Sequence, residues 1–186
     1  MKGGLPEYIP EGFEYYPDFI SVREEENLLN TISAIELQTF VFQGFTAKRR
    51  VASFGFIYSF DNRKLSEGEP IPGEFSDLIG KTASLINISP AEFAEALITE
   101  YPEGSVINWH RDAPPFGLIA GISLLSDCRF RLRPHDKKMQ ERSAIISFIA
   151  ERRSLYVMRG PARSEWEHSI AAVKEKRYSI TLRTLK

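Results

Sequence analysis

At Ala96 the chain changes its hydrophobic rhythm, and that change limits the folds open to it. Before it, apolar residues recur at helical spacing. Leu28, Leu29, Ile32 and Ile35 follow a Ser21/Glu24 capping pair, and Phe75, Leu78, Ile79, Ala83 and Ile86 form a second set. After it, apolar and polar residues alternate. Ala96–Tyr101, Ser105–Trp109, Leu118–Leu125, Cys128–Arg133, Ser143–Ile149, Ser154–Met158, Glu167–Ile170 and Tyr178–Leu185 read as short strands, most of them separated by Gly, Pro, Ser or Asp. Short strands after a helical half imply an α+β chain, mainly β. Its antiparallel sheets roll up with the N-terminal helices packed on one side. Such a roll gathers strand ends from distant sequence at one open mouth.

The remaining segments fill in around this plan. Residues 1–17 read as an extended arm, 22–34 as a helix, Thr39–Phe42 as a strand, Gln43–Lys48 as a turn and Asp61–Gly73 as a loop. Ser89-Pro90-Ala91-Glu92 is a second capping box with proline at the first helical position, which starts another short helix. A length of 186 residues fits a single domain, 1–186. The formal charge of −1 gives no global case for nucleic acid, so any such contact must come from a local basic patch. The single cysteine, Cys128, excludes an internal disulfide and fits a reducing compartment. With no apolar leader and no run of 18 apolar residues, a cytoplasmic protein away from the membrane is expected.

Three stretches carry chemistry. In Tyr101–Pro115, YPEGSVINWHRDAPP, His110 and Asp112 are two apart, so an extended backbone aims both side chains at one point. His168 would add a second imidazole. Two nitrogens and a carboxylate on one face of an ion leave positions open, as suits non-haem iron(II). The plainer alternative is a surface turn in which Asp112 accepts a hydrogen bond from His110 or from backbone. His135, in a polar loop, is the expected non-ligand.

In the last strand, Tyr178, Ile180 and Leu182 share one face, while Arg177, Ser179, Thr181 and Arg183 share the other. Two arginines on an inner face suit a dicarboxylate; an edge strand with exposed arginines is the alternative. The third stretch, Lys48–Ser59, runs from basic to aromatic residues. It reads either as an edge strand with solvated charges or as a phosphate-contacting rim leading to a stacking platform for an unpaired base.

Taken together, these residues resemble the AlkB family of iron(II)- and 2-oxoglutarate-dependent dealkylating dioxygenases, from about Phe13 to Leu185. Tyr101, Pro102-Glu103-Gly104, His110-Arg111-Asp112, the distal His168 and the closing Arg177 and Arg183 follow the family's order and spacing. The resemblance implies a double-stranded β-helix, or jelly roll, over 96–186. Ahead of it, 1–95 would form an N-terminal extension carrying the helices and a nucleotide-recognition lid. It implies that His110, Asp112 and His168 ligate Fe(II). Arg177 would hold the far carboxylate of 2-oxoglutarate with Tyr101, and Arg183 and Ser179 the near one. Thr99, where many members have asparagine, would contribute a shorter hydrogen bond. Arg49, Phe56 and Tyr58 would form the lid, with Trp109 and Arg111 on the rim.

The chemistry implied consumes O2 and 2-oxoglutarate, releases succinate and CO2, and removes an N-alkyl group as aldehyde from alkylated single- or double-stranded DNA or RNA. A monomer is expected. Pro114 and Pro115 stand where the best-known member has acidic substrate-contacting residues, so the lesion is left open. Two alternatives stay beside this reading. One is the same oxygenase chemistry on a tRNA side group or a protein; the other is a jelly-roll binding module without catalysis.

Overall fold

The alternating rhythm becomes two packed sheets, and the helical one supplies helices against the larger of them. The computed structural model of the chain describes residues 6, 8–42 and 45–186. In chain order the elements are β1 (Phe13–Tyr16), α1 (Val22–Ser33), β2 (Gln38–Phe42), β3 (Phe45–Ser59), β4 (Lys64–Glu67), α2 (Ser76–Ile86), β5 (Phe93–Tyr101) and β6 (Ile107–His110). There follow β7 (Phe116–Leu124), β8 (Cys128–Pro134), β9 (Ile146–Ala150), β10 (Leu155–Met158), α3 (Gly160–Ser164), β11 (Trp166–Ile170) and β12 (Arg177–Leu185). One sheet runs β1-β10-β7-β12-β5-β3-β2, with β4 paired to β3, and the other runs β6-β11-β8-β9. All pairings are antiparallel.

β12 shows why the layers form. It lies between β5 and β7 in the larger sheet, not at an edge. Its Ile180 and Leu182 join Ile98, Ile122 and Leu124 beneath Leu28 and Ile32 of α1 and Leu78, Ala83 and Ile86 of α2. Truncating such a side chain to alanine costs roughly 2–5 kcal/mol. The opposite face of β12 turns toward the smaller sheet. There a second core forms around Phe13, Tyr101, Phe116, Phe130, Leu132, Phe148 and Tyr156.

Helix α1 starts at the expected capping box: Ser21 Oγ accepts from the Glu24 N–H at 3.2 Å, and the Glu24 carboxylate accepts from the Ser21 N–H at 2.7 Å. It is fastened to the strand ends by Glu25. That fully buried carboxylate accepts from Arg152 Nε at 2.7 Å and from the Leu125 N–H at 2.8 Å.

Several expectations are corrected. The N-terminal arm contains a paired strand, β1, and its residues 1–5 and 7 lie outside the described ones. The turn expected over Gln43–Lys48 is already strand from Phe45, while residues 43 and 44 lie outside the described ones. The helix expected after Ser89 is one 3-10 turn, Pro90–Glu92, with its capping box intact. Gly160-Pro161, among the Gly and Pro residues expected only to separate strands, begins a short helix. β1 to β4 all precede residue 96 and extend the larger sheet, so no layer boundary coincides with that position. β3 is flanked by β2 and β5 and is no edge strand, which corrects that part of the plainer reading of Lys48–Ser59, while Lys48 and Arg50 are exposed as it expects.

Gly55 explains the irregular length of β3. Its φ of +81° and the Ala94 carbonyl 2.1 Å from where a Cβ would sit leave room for glycine alone. Beyond it, the strand leaves β5 and pairs with β4.

Candidate active site

The mouth between the two sheets collects side chains from seven strands. On β12 and β5 the register sets Arg177 opposite Tyr101, Ser179 opposite Thr99, and Arg183 opposite Glu95. Directly opposed residues share a face, so all six point inward. On the smaller sheet His168 of β11 is the register partner of His110 on β6. Their ring centroids are 4.2 Å apart. A β-bulge sits here, with three steps on β6 matched to two on β11. It turns both Ile107 and His110 toward the cavity, which strict alternation would forbid. Asp112 lies just past the strand end and brings Oδ2 to 3.7 Å from His168 Nε2.

Each of these three side chains is fixed by a partner. His110 Nδ1 is 2.8 Å from the Asn108 carbonyl. A carbonyl can only accept, so the proton sits on Nδ1 and Nε2 keeps its lone pair. His168 stacks on Phe130, at 5.5 Å between centroids and 6° between planes. Burial, helped by the neighbouring His110, pushes the His168 imidazole down to about 3, so it is neutral at physiological pH. Burial alone would raise the Asp112 carboxyl; the Arg183 guanidinium, then the two imidazoles and Arg163, outweigh it and hold the group well below the usual carboxylate range.

The loop that carries Asp112 is clamped by Arg163 of α3. Its Nη2 donates to the carbonyls of Asp112, Ala113 and Phe116 at 3.1, 2.8 and 3.0 Å. Sequence reasoning missed this residue, since nothing in a local pattern shows an arginine spent on backbone carbonyls far along the chain.

The arginines of β12 divide their work. Arg183 donates to Asp112 Oδ1 and to Glu95 Oε2, both at 2.6 Å, and Ser53 holds the other Glu95 oxygen. Arg177 is 1% exposed. Its Nε donates to Ser123 Oγ at 3.0 Å, and its guanidinium lies over the Tyr101 ring at 4.8 Å. Among the described residues no carboxylate meets it, and its Nη1 is buried without a partner. Tyr101 and Ser179 share a contact of 3.3 Å beside it.

The cavity thus formed holds about 80 Å³ and is lined by Thr99, Tyr101, His110, Asp112, His168 and Arg183, among others. Arg49 reaches it too, its guanidinium 4.0 Å over the Phe40 ring. Tyr156, missed in the sequence, closes one wall; its phenol lies against Gly121, where a Cβ would come within 2.2 Å of the ring. The larger hollow of the molecule, about 530 Å³, lies elsewhere, along Gly55, Phe56, Phe93 and Leu185.

Four residues expected at the rim or lid do not line this cavity. Phe56 lines that second hollow. Tyr58 packs edge-on to Phe60 at 5.1 Å. Trp109 faces away from the cavity, stacked with Arg131 and Arg133. Arg111 is exposed and donates to the Ser164 carbonyl. His135 lies outside the site, 3.1 Å from Glu167.

The residue types gathered here, two imidazoles, a carboxylate and a buried guanidinium, are of the kind an iron(II) and 2-oxoglutarate site would use. Asp112 Oδ2 is buried without a hydrogen-bond partner, His110 presents a free Nε2, and a dry cation stands ready for a carboxylate. Among the described residues no group of three or more His, Cys, Asp or Glu side chains stands in position to hold a metal ion, and Asp112 is hydrogen-bonded to Arg183. The donor set is nonetheless two imidazoles and a carboxylate at one mouth. Fold and site together define a jelly-roll oxygenase.

The family model of the 2OG-Fe(II) oxygenase superfamily matches residues 12–183, and the chain belongs to that superfamily. It is an oxidoreductase whose family uses Fe(II), 2-oxoglutarate and O2. The AlkB resemblance read in the sequence agrees with its relatives. The Macaca fascicularis protein named tRNA (carboxymethyluridine(34)-5-O)-methyltransferase ALKBH8 is 26% identical over 178 residues, covering 91% of this chain and 26% of its own length. The Arabidopsis thaliana protein named alkylated DNA repair protein ALKBH8 homolog is 25% identical over 209 residues, covering 94% of this chain and 58% of its own. The chain therefore spans about a quarter of the vertebrate relatives' length. The solved structure of OsALKBH1 superposes with a TM-score of 0.72 at 13% identity, covering 96% and 99% of the two chains, and so shares the fold.

Proposed function

We propose that this chain oxidises an N-alkyl carbon on a base of DNA or RNA, releasing it as aldehyde with succinate and CO2 as co-products. His110, Asp112 and His168 would hold Fe(II), and the bound metal with 2-oxoglutarate and O2 supplies the oxidising power. The chain's own residues prepare the site. The Asn108 carbonyl fixes the His110 tautomer, burial keeps His168 neutral, and Arg163 holds the loop beneath Asp112. For the carboxylate to turn toward a metal, Asp112 would leave Arg183, whose Nη2 could then serve with Ser179 for the near carboxylate of 2-oxoglutarate while its Nη1 stays on Glu95. Arg177, Tyr101 and Thr99 take the far end. Arg49, which lines the cavity, would meet the substrate base.

One observation carries the reading. Arg177 is a fully enclosed cation with no anionic partner among the described residues, and a buried unpaired charge costs several kcal/mol unless something compensates it. A ligand carboxylate does so. Succinate formation from 2-oxoglutarate and Fe(II) is the test, with single-stranded DNA or RNA carrying 1-methyladenine or 3-methylcytosine and formaldehyde measured alongside. His110→Ala should abolish succinate; retained turnover would remove the metal assignment.

A second reading keeps the same chemistry and changes the substrate to a tRNA base side group. It is favoured by the similarity to proteins named for carboxymethyluridine at tRNA position 34. No members of the described helices are long and apolar enough to cross a membrane. A monomer in the cytoplasm remains the proposed state.

A further inference from the structure

On the back of the sheet that carries His110 and His168, β8 turns Arg129, Arg131 and Arg133 to one side, opposite the buried Phe130 and Leu132. Arginines at a sheet edge commonly guard against aggregation, but β8 is flanked by β11 and β9, so that explanation does not apply. Trp109 of β6 lies among them, its ring 4.9 Å from the Arg131 guanidinium and 4.5 Å from that of Arg133.

The charge on this face is poorly matched. Arg133 is paired with Glu167 at 2.6 Å, which His135 also contacts. Arg129 donates only to the Ser147 hydroxyl, at 3.3 Å. Arg131 has no carboxylate or hydrogen-bond partner among the described residues, and its Nε is enclosed and unpaired. Across the strand pair, in direct register, Ser169 is fully buried and its Oγ is unpaired as well. A chain with charge −1 overall thus concentrates two uncompensated guanidinium groups, a third nearby and an aromatic face in one stripe. Solvated arginines added for solubility would extend into water and would not lie against an indole with nitrogens enclosed.

We infer that this outer face is a track for the sugar-phosphate backbone and unpaired bases of a single-stranded nucleic acid. It rests on the nucleic-acid reading of the active site and says where the strand beyond the reacting nucleotide runs. The path is short. β6 is the free edge of its sheet, with Ile107 and His110 on the cavity side and Trp109 on the outer side. A strand with one base in the cavity needs only to pass over that edge to reach the stripe. There guanidinium groups meet phosphates, and bases stack on the indole or on arginine planes.

The test measures binding of a short, labelled single-stranded oligonucleotide, in DNA and in RNA form, to the full chain across a salt series. Arg129→Gln with Arg131→Gln should weaken affinity by about tenfold. The slope of log K against log salt should flatten by about 1.4, at about 0.7 per contact on a single strand. Turnover of a free N-methylated nucleoside, too small to reach the outer face, should be unchanged. A second reading needs no arginine change: in Trp166→Phe, Trp109 is the remaining tryptophan, and its emission should be quenched as the oligonucleotide binds. Unchanged affinity and slope with unmoved Trp109 emission would overturn the track. Poly-glutamate displacing the oligonucleotide equally well would overturn it too, in favour of an acidic protein partner. If the unaltered chain makes succinate yet binds no oligonucleotide, the nucleic-acid reading of the active site fails, and the track with it.

Discussion

Arg177 sits where a protein without a ligand would gain by having something else. It is 1% exposed, its Nε donates to a serine hydroxyl, and one terminal nitrogen is unpaired. Replacing a buried, uncompensated charge by an apolar side chain of similar volume is often neutral or stabilising by 1–4 kcal/mol. Losing one partner of a buried charge pair in a complex, by contrast, costs 2 kcal/mol or more. Arg177→Met should therefore hold or raise the melting temperature of the free protein. The same change should weaken 2-oxoglutarate binding by roughly 30-fold or more, taking 1.4 kcal/mol per factor of ten. Calorimetric titration in the presence of Mn(II), set beside thermal melts of the free chain, checks both signs. A variant that melts lower and binds 2-oxoglutarate as well as before would make Arg177 a packing residue.

Among the elements, α1 and α2 are joined at the surface by one acidic side chain with two roles. Glu24 closes the capping box of α1 and reaches Lys81 of α2 at 2.7 Å. The Lys81 ammonium, then the Ser21 N–H, lower its carboxyl from 4.5 to about 2. A folded-state value below the unfolded one means stability that is present above pH 4.5 and lost as pH falls toward 2. Both partners are about two-fifths exposed, so solvent screening keeps the effect small. Glu24→Gln should lower the melting temperature by roughly 1–2 °C at pH 7, from about 0.5 kcal/mol, and by nothing near pH 2. A gap that persists at pH 2 would show that charge has no part in it. The capping box itself was legible because its signal spans four consecutive residues. The strands after Ala96 were legible for a related reason: one face of each meets a core, so period two is enforced. The departures lie where the partner is distant. Phe45–Ser59 is strand because β2, β4 and β5 flank it, and β1 is strand because β10 offers it an edge. No local propensity encodes either.

Taken whole, the site is a seam between two sheets. His110 and His168 come from the four-stranded sheet, Asp112 from the link that follows β6, and Arg177, Arg183, Tyr101 and Thr99 from the larger sheet. The candidate donor residues could be named from the sequence because few residue types can bind a metal and their order is constrained. The bulge that aims His110, the clamp of Arg163 and the outward turn of Trp109 were not, since each depends on register between strands far apart in sequence. A group bound across the seam by both sheets cannot stay bound if either unfolds, so binding adds to the stability of the entire fold by linkage. At a hundred times the dissociation constant the gain is about 2.7 kcal/mol. For a chain of this size that is roughly 5–10 °C in melting temperature. Protein stripped with EDTA should therefore melt lower than protein with Mn(II) and 2-oxoglutarate together, Mn(II) standing in for iron without turnover. In His168→Ala one imidazole donor is gone, so the metal-dependent rise should shrink to a small fraction while the melt stays a single cooperative step. An undiminished rise in that variant would place the ion elsewhere, and a loss of the cooperative step would make His168 a structural residue of the seam.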